Sequence, residues 1–371
     1  MNNIIEYKDL LAFHPGYYIL ENIDELGYSQ EEFAQRLGVT PKTISVIVNG
    51  QNNLTREIAE KLSRMLGTSV ELWLNLQKKY EDKKREIEQA KWFDRQSEIV
   101  KLIDYSYFIK IANLPAIKGI KEKITNLCKY FHVADLDVFF KKDFLANYRS
   151  GLTNIKEKNV INSKIWLQTA INIAKSKIVI KEFNPSILKK YISEIKSLTV
   201  TEPDFFLPKL KKIFENCGVN FVFLPYLKNS GINGAVKWID SKHPILAMND
   251  RRNYSDTFWF SLFHEIKHLL QQKTKIIFFD GSEEELEKID LDLEKEADEF
   301  ARDTLIPVNL YRSFIDSGKF RESDIRNFAG NIGLHSAIIL GRLQNDGLIP
   351  HNRLNSLKTK YNFAFTLKDN L

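Results

Sequence analysis

The amino-acid sequence predicts a mainly α protein with a small antiparallel β-sheet, an α+β arrangement spread over two or three domains. Three observations carry this reading. Capped, amphipathic helical patterns fill residues 13–200. The β-rich runs are short and cluster between residues 219 and 248. The 371 residues, 43% hydrophobic and 27% charged, suffice for several cores at about 150 residues per domain. The same composition excludes disorder, collagen and a disulfide framework. Cys128 and Cys217 are far apart and in no metal-ligand spacing. The start, MNNIIEYKDL, lacks the basic-then-apolar layout of a signal peptide, so a reducing cytoplasm is the expected setting. No window approaches the roughly 18 apolar residues of a membrane span. The richest stretch, residues 258–270, carries two His, a Glu and a Lys, which makes it a buried helix, and no membrane partner is expected.

The expected divisions are residues 1–80, 81–200 and 201–371. Charge is unevenly shared among them. The first has 8 Lys and Arg against 10 Asp and Glu, the second 23 against 14, and the third 23 against 24. The net +6 therefore sits in the middle segment, on the solvated faces of amphipathic helices such as KEKITNLCKY.

Residues 13–80 read as five short helices. Ser29 with Glu32 three residues later forms a capping box that opens residues 30–37. Gly38 ends that helix, and Thr40-Pro41 starts another with an N-cap hydroxyl and a proline at the first helical position. Asn49-Gly50 closes it. Two helices joined by a short glycine turn make a helix-turn-helix, whose second helix can enter a major groove. Ala34 is small where the helices cross, and Ile44 with Ile47 form the buried pair. Lys42, Thr43, Val46 and Asn49 then face outward, with Gln30 near the DNA backbone, and these are the candidate DNA-binding residues. The neutral-to-acidic count favours binding of operator DNA by a homodimer over a strong monomeric grip. A hairpin serving only for docking is the plainer alternative.

From Ser69 a helical pattern runs through Trp73, Leu76 and Tyr80 toward Ile111 with no Pro or Gly before Pro115. It reads as one long connecting helix, and residues 115–200 continue as a helical connector without a catalytic constellation. The runs VNFVFL (219–224), AVKWI (235–239) and PILAM (244–248) supply the small antiparallel sheet.

Chemistry concentrates in TFWFSLFHEIKHLL. His264 and His268 are four apart, so on a helix both imidazoles project from one side and can share a Zn²⁺, while Glu265 reaches the attacking water as general base. The apolar flanks, Phe258 to Phe260, Leu262, Phe263, Leu269 and Leu270, surround the motif, and buried His and Glu require partners. The plain alternative is two core histidines beside an ion-paired glutamate. A third ligand is expected in EKEADEFARDTLIP, which begins after 25 intervening residues. Ala297, Phe300, Ala301, Thr304 and Leu305 define its inward face. Glu294 lies about 50° from the centre of that face and Glu296 about 110°, which favours Glu294 as ligand and leaves Glu296 as the alternate. Asp298 can orient a ligand histidine. His335 and His243 are oxyanion-stabilising candidates by residue type alone.

Two resemblances follow from these residues. HPGYYILENIDELGYSQEEFAQRLGVTPKTISVIVNGQNNLTREIAEKLSRMLGTSVELWLNLQKKYE resembles the HigA-type antitoxin domain of the Cro/C1-like helix-turn-helix class. FWFSLFHEIKHLL followed by EKEADEFARDTLIP resembles the ImmA/IrrE metallopeptidase family. The landmarks YRSG, KIWLQTA, SGINGAVKWI and IGLHSAIILGRLQ resemble the fused form of the two. Lys267 stands where that family often has glycine, and Ser336 where proline is frequent. The resemblance implies an N-terminal five-helix Cro/C1-type domain, a helical connector and a C-terminal zincin-like metallopeptidase domain. It also implies a repressor-type protein as substrate and a RelE/HigB-like toxin as partner. Three functions remain open: a DNA-binding regulator with an active peptidase, an antitoxin whose zinc domain only senses or docks, and a peptidase whose helix-turn-helix recruits its substrate.

Overall fold

The N-terminal helices begin and end where single side chains meet their open backbone groups. Ser29 Oγ accepts the Glu32 N–H, Thr40 Oγ1 the Thr43 N–H and Thr55 Oγ1 the Ile58 N–H, caps worth about 1 kcal/mol each. Gly38 takes the left-handed conformation, φ 69°, that ends a helix without a Cβ penalty. The computed structural model describes residues 3–140, 157–176, 179–272 and 283–363. The landmark YRSG lies outside the described residues. By internal contacts the chain divides into two units, Met1–Glu98 and Ile99–Leu371.

The first unit opens with a hairpin absent from the sequence-based expectation, β1 (Ile4–Tyr7) and β2 (Leu10–Phe13), paired antiparallel. Four-residue strands are too short to show a period-2 pattern. The helices are α1 (Pro15–Glu25), α2 (Gln30–Leu37), α3 (Pro41–Val48), α4 (Arg56–Leu66) and most of α5 (Val70–Leu102), whose last turn, like α6 (Tyr105–Ile111) after it, falls in the second unit. Ile19, Phe33, Ala34, Ile44, Ile47, Leu62 and Trp73 form their common core. The capping box is half formed: Ser29 caps as expected, but the Glu32 carboxylate is taken by Arg36, 2.8 Å away on the next turn. The helix expected to run to Ile111 stops at Leu102. Asp104 starts α6 (Tyr105–Ile111) by accepting from the Ser106 backbone N–H at 3.1 Å and its hydroxyl at 2.6 Å, a cap that competes with helix continuation.

The second unit continues with α7 (Ile120–Phe131), α8 (Glu157–Ser176), α9 (Pro185–Ser197) and α10 (Pro203–Asn216). Strands β3 (Asn220–Leu224), β4 (Gly234–Trp238) and β5 (Pro244–Asn249) follow, then α11 (Ser255–Gln271), α12 (Glu283–Leu305), α13 (Val308–Asp316), α14 (Glu322–Asn331) and α15 (Ser336–Asn345). The three-stranded sheet is mixed and not antiparallel as expected. Its order is β3-β5-β4, with β3 parallel and β4 antiparallel to β5. The central strand PILAMN is buried at every position, and such a continuous apolar run belongs to a strand covered on both faces. Trp259, Phe206, Phe258, Tyr361 and Phe363 anchor the core under α11, with the Trp259 indole donating to Tyr361 Oη at 2.9 Å. Among the described residues, no helix is long and apolar enough to cross a membrane.

Candidate metal centre and nucleic-acid interface

In the first unit, α2 and α3 meet through Ala34, Ile44 and Ile47, all at most 1% exposed, and this burial decides which side of α3 is free. Of the candidate DNA contacts, Gln30 and Lys42 are exposed. The other three are partly buried and engaged within the unit. Thr43 Oγ1 shares a hydrogen bond with Thr40 Oγ1 at 2.8 Å, Asn49 Nδ2 donates to Ser45 O at 2.8 Å, and Val46 packs against the core.

In the second unit, α11 and α12 bring together the three candidate metal ligands. His264 Nε2 lies 3.0 Å from His268 Nε2 and 3.2 Å from Glu294 Oε2, while His268 Nε2 lies 3.3 Å from Glu294 Oε1. A tetrahedral ion with bonds of 2.0–2.1 Å needs donor separations of about 3.3–3.4 Å, and two imidazoles with one carboxylate that offers a different oxygen to each of them have the spacing and chemistry to hold a zinc ion. His264, His268 and Glu294 are also the group among the described residues whose donor atoms converge in this way. The two helices approach closely because Ala297 and Ala301 are small and fully buried between them.

The outer ring nitrogens are held as well. His264 Nδ1 meets Asp298 Oδ1 at 2.8 Å, and His268 Nδ1 meets Gln271 Oε1 at 2.9 Å. Such partners fix ring orientation and raise ligand basicity. Gln271 escaped sequence reasoning, although its place three residues after His268 on the same helix is a usable signal. Burial opposes charge on His264, but its hydrogen bonds to the Asp298 and Glu294 carboxylates outweigh it and hold its pKa up at about 10. Burial would raise Glu294, yet the two imidazoles draw it down to about 2. Glu296, the alternate ligand, points elsewhere: it is exposed, 3.4 Å from Lys267 Nζ and 3.2 Å from Gln271 Nε2.

Glu265 is buried on the sheet side of α11, and burial pushes its carboxyl pKa up against the opposing pull of His268 and His264. Gly234 makes room for it. A Cβ there would fall 2.9 Å from Glu265 Cγ and 2.7 Å from Met248 Sδ, so only glycine lets β4 pass this close. His335 and His243 take no part in the cluster. His335 caps α15 through Nδ1, and His243 is bonded to Asp240 in the β4–β5 turn.

A family model described as helix-turn-helix matches residues 19–73, the span from α1 into α5. Over 63 residues the chain is 46% identical to the HTH-type transcriptional regulator YddM of Escherichia coli, covering 17% of this chain and 67% of that protein. Through this segment, the chain belongs to the helix-turn-helix family. Over 58 residues this helix-turn-helix protein is 36% identical to Antitoxin HigA-1 of Vibrio cholerae, covering 16% of the chain and 54% of the antitoxin. It is 39% identical to an antidote protein of a plasmid maintenance system from Nostoc punctiforme whose crystal structure is known, covering 21% and 93% of the two chains at a TM-score of 0.19. The chain thus spans about half to two thirds of the length of these two curated relatives. Gln30 and Lys42 lie inside the matched helix-turn-helix segment, and the candidate metal ligands His264, His268 and Glu294 lie outside it.

Proposed function

We propose that this helix-turn-helix protein is a DNA-binding regulator of the antitoxin type whose second unit is a zinc-dependent endopeptidase of the ImmA/IrrE kind, cleaving a repressor-type protein. The observation that carries the enzymatic half is the convergence of His264 Nε2, His268 Nε2 and the Glu294 carboxylate, 3.0–3.3 Å apart, beside the buried Glu265. Zinc held there would supply Lewis acidity toward a peptide carbonyl and lower the pKa of water. Asp298 and Gln271 keep the two imidazoles aimed at it. Glu265, its carboxylate made more basic by burial, takes a proton from the attacking water at a carboxylate oxygen and returns it to the leaving amine nitrogen. β4 is an edge strand of its sheet, and an extended peptide can add along its free side next to Glu265.

The test incubates the zinc-loaded chain with helix-turn-helix repressor proteins and follows their cleavage, which a chelator should abolish. Gly234→Ala probes the same chemistry from the sheet side. It is expected to push Glu265 out of line and lower cleavage by up to about 10²-fold, the scale of a 1 Å misplacement, at unchanged zinc content. Equal cleavage by Gly234→Ala would remove Glu265 from its assigned place.

The regulatory half rests on the family match and on the HigA-1 likeness, which support operator DNA as ligand and a toxin as partner; the RelE/HigB-like class of that toxin and the reducing cytoplasm are part of the proposal. Binding would be as a homodimer on two half-sites, with α3 as the recognition helix. The exposed pair is the place to test it. Gln30→Ala with Lys42→Ala is expected to weaken operator binding by about tenfold or more and to flatten the salt dependence by about one phosphate contact, without lowering the thermal midpoint. Unchanged affinity and salt slope in a footprinting or anisotropy titration would move the interface off α3.

A further inference from the structure

Next to the ligand cluster, α11, α12 and α15 enclose a cleft of about 390 Å³. Part of its wall is apolar, from Phe260, Leu305 and Ile338. Phe260 was expected among the burying flanks of the HExxH helix, but it is 37% exposed and turned to this cleft. The charged part combines Arg252, Arg302 and Arg342 with Asp256 and Asp298. Asp298 Oδ1 holds His264, and Asp256 Oδ2 meets Lys358 Nζ at 2.8 Å while its Oδ1 is buried without a hydrogen-bond partner.

The arginines are less completely engaged. Arg342 gives its Nε to Asp346 at 2.8 Å and lies over the Tyr311 ring, yet its Nη1 is buried with no hydrogen-bond partner and 3.9 Å from Asp303 Oδ1. Arg302 Nε is likewise buried and unbonded, 3.6 Å from the same carboxylate oxygen. Two guanidinium groups on neighbouring helices, each with an unmet N–H, line one cleft. A buried N–H without an acceptor is costly, and the acceptor that suits a guanidinium fork is a carboxylate. The apolar wall favours a carboxylate carried on an aliphatic stem over a bare oxyanion.

We infer that this cleft is a specificity pocket for an acidic side chain, Glu in preference to Gln, on the polypeptide that the neighbouring metal centre takes. The inference rests on the proposed peptidase reading, since Asp298 belongs both to the cleft wall and to the support of His264. Arg302 and Arg342 are its specificity-determining residues, with Asp303 as the internal acceptor that the ligand displaces.

The test uses the full-length, zinc-loaded chain carrying Glu265→Gln and two probes, N-acetyl-glutamate N-methylamide and its glutamine counterpart, titrated by calorimetry. The glutamate probe is expected to bind at least tenfold tighter. That preference should fall below twofold in Arg302→Gln and in Arg342→Lys, which keeps charge but loses the planar fork. Because Arg342 also holds Asp346 and Tyr311, its replacement can perturb folding, and Arg302, with a side chain 35% exposed, is the safer probe. Equal binding of the two probes, binding of neither, or displacement of the glutamate probe by equimolar inorganic phosphate would overturn the pocket. A glutamate preference lost in Arg302→Gln, with no protein cleaved by the wild-type chain, would sink the peptidase reading and leave the pocket standing. Cleavage by wild type with no preference between the probes would do the reverse.

Discussion

Glu265→Gln is expected to hold one zinc per chain, as wild type should, and to cleave its protein substrate about 10²–10⁴-fold more slowly. The side chain sits on the inner face of α11 under Gly234, where burial raises its pKa and makes its carboxylate a better proton acceptor. Glutamine keeps the shape and the packing against β4 but cannot accept the proton. The comparison belongs in extract that contains the proteins encoded alongside this one. Loss of any helix-turn-helix repressor, including the chain's own first unit, is followed together with zinc content and operator binding. If wild type and Glu265→Gln both hold zinc, bind DNA alike and cleave nothing, even under stress or with an added toxin partner, the second unit is a metal-stabilised sensing or docking module. Lys267 would not explain such a result by blocking the ligands, because it is drawn toward Glu296 at 3.4 Å and lies over the Phe300 ring.

The second large effect is on metal retention. His268→Ala is expected to reduce zinc from about one per chain to background after dialysis, because a single imidazole and a carboxylate leave half the coordination sphere to solvent. Asp298→Ala should lose only about 10–100-fold in affinity, the usual cost of an outer partner. Acidity provides an independent check on the same site. The cation competes with protons on His264 and His268, both of which are raised above their ordinary range, His264 to about 10. Zinc affinity must therefore fall as pH falls, and it should keep rising with pH well above 6.5, where an ordinary histidine would already be neutral. Glu294, drawn down to about 2, stays ionised throughout and adds no slope in this range. Competition with a chelator between pH 6 and 9 reads this directly. Affinity that levels off above pH 7 would show that the carboxylates do not hold charge on the imidazoles, and equal zinc in His268→Ala and wild type would refute the ligand assignment.

The parts of this protein that its sequence determined by itself are those set within one or two helical turns. Ser29, Gly38, Thr40 and Pro41 bound α2 and α3 through their own backbone hydrogen bonds, so the helix-turn-helix was legible without knowing what packs on it. The i, i+4 spacing of His264 and His268 fixes a common side of α11, and the apolar period of α12 turns Glu294 inward and leaves Glu296 outside. Tertiary structure decided what depends on groups distant along the chain. Strand direction was settled by the β4–β5 hairpin, which sets β5 alongside β3 in parallel, a pairing that no local period encodes. The close pass of Gly234 over Glu265 and the cleft between α11, α12 and α15 likewise arise where separate elements meet. A cap or a helical spacing is an interaction between near neighbours, whereas a strand partner or a pocket wall is chosen by which surfaces bury each other. That choice is made only when the whole unit packs.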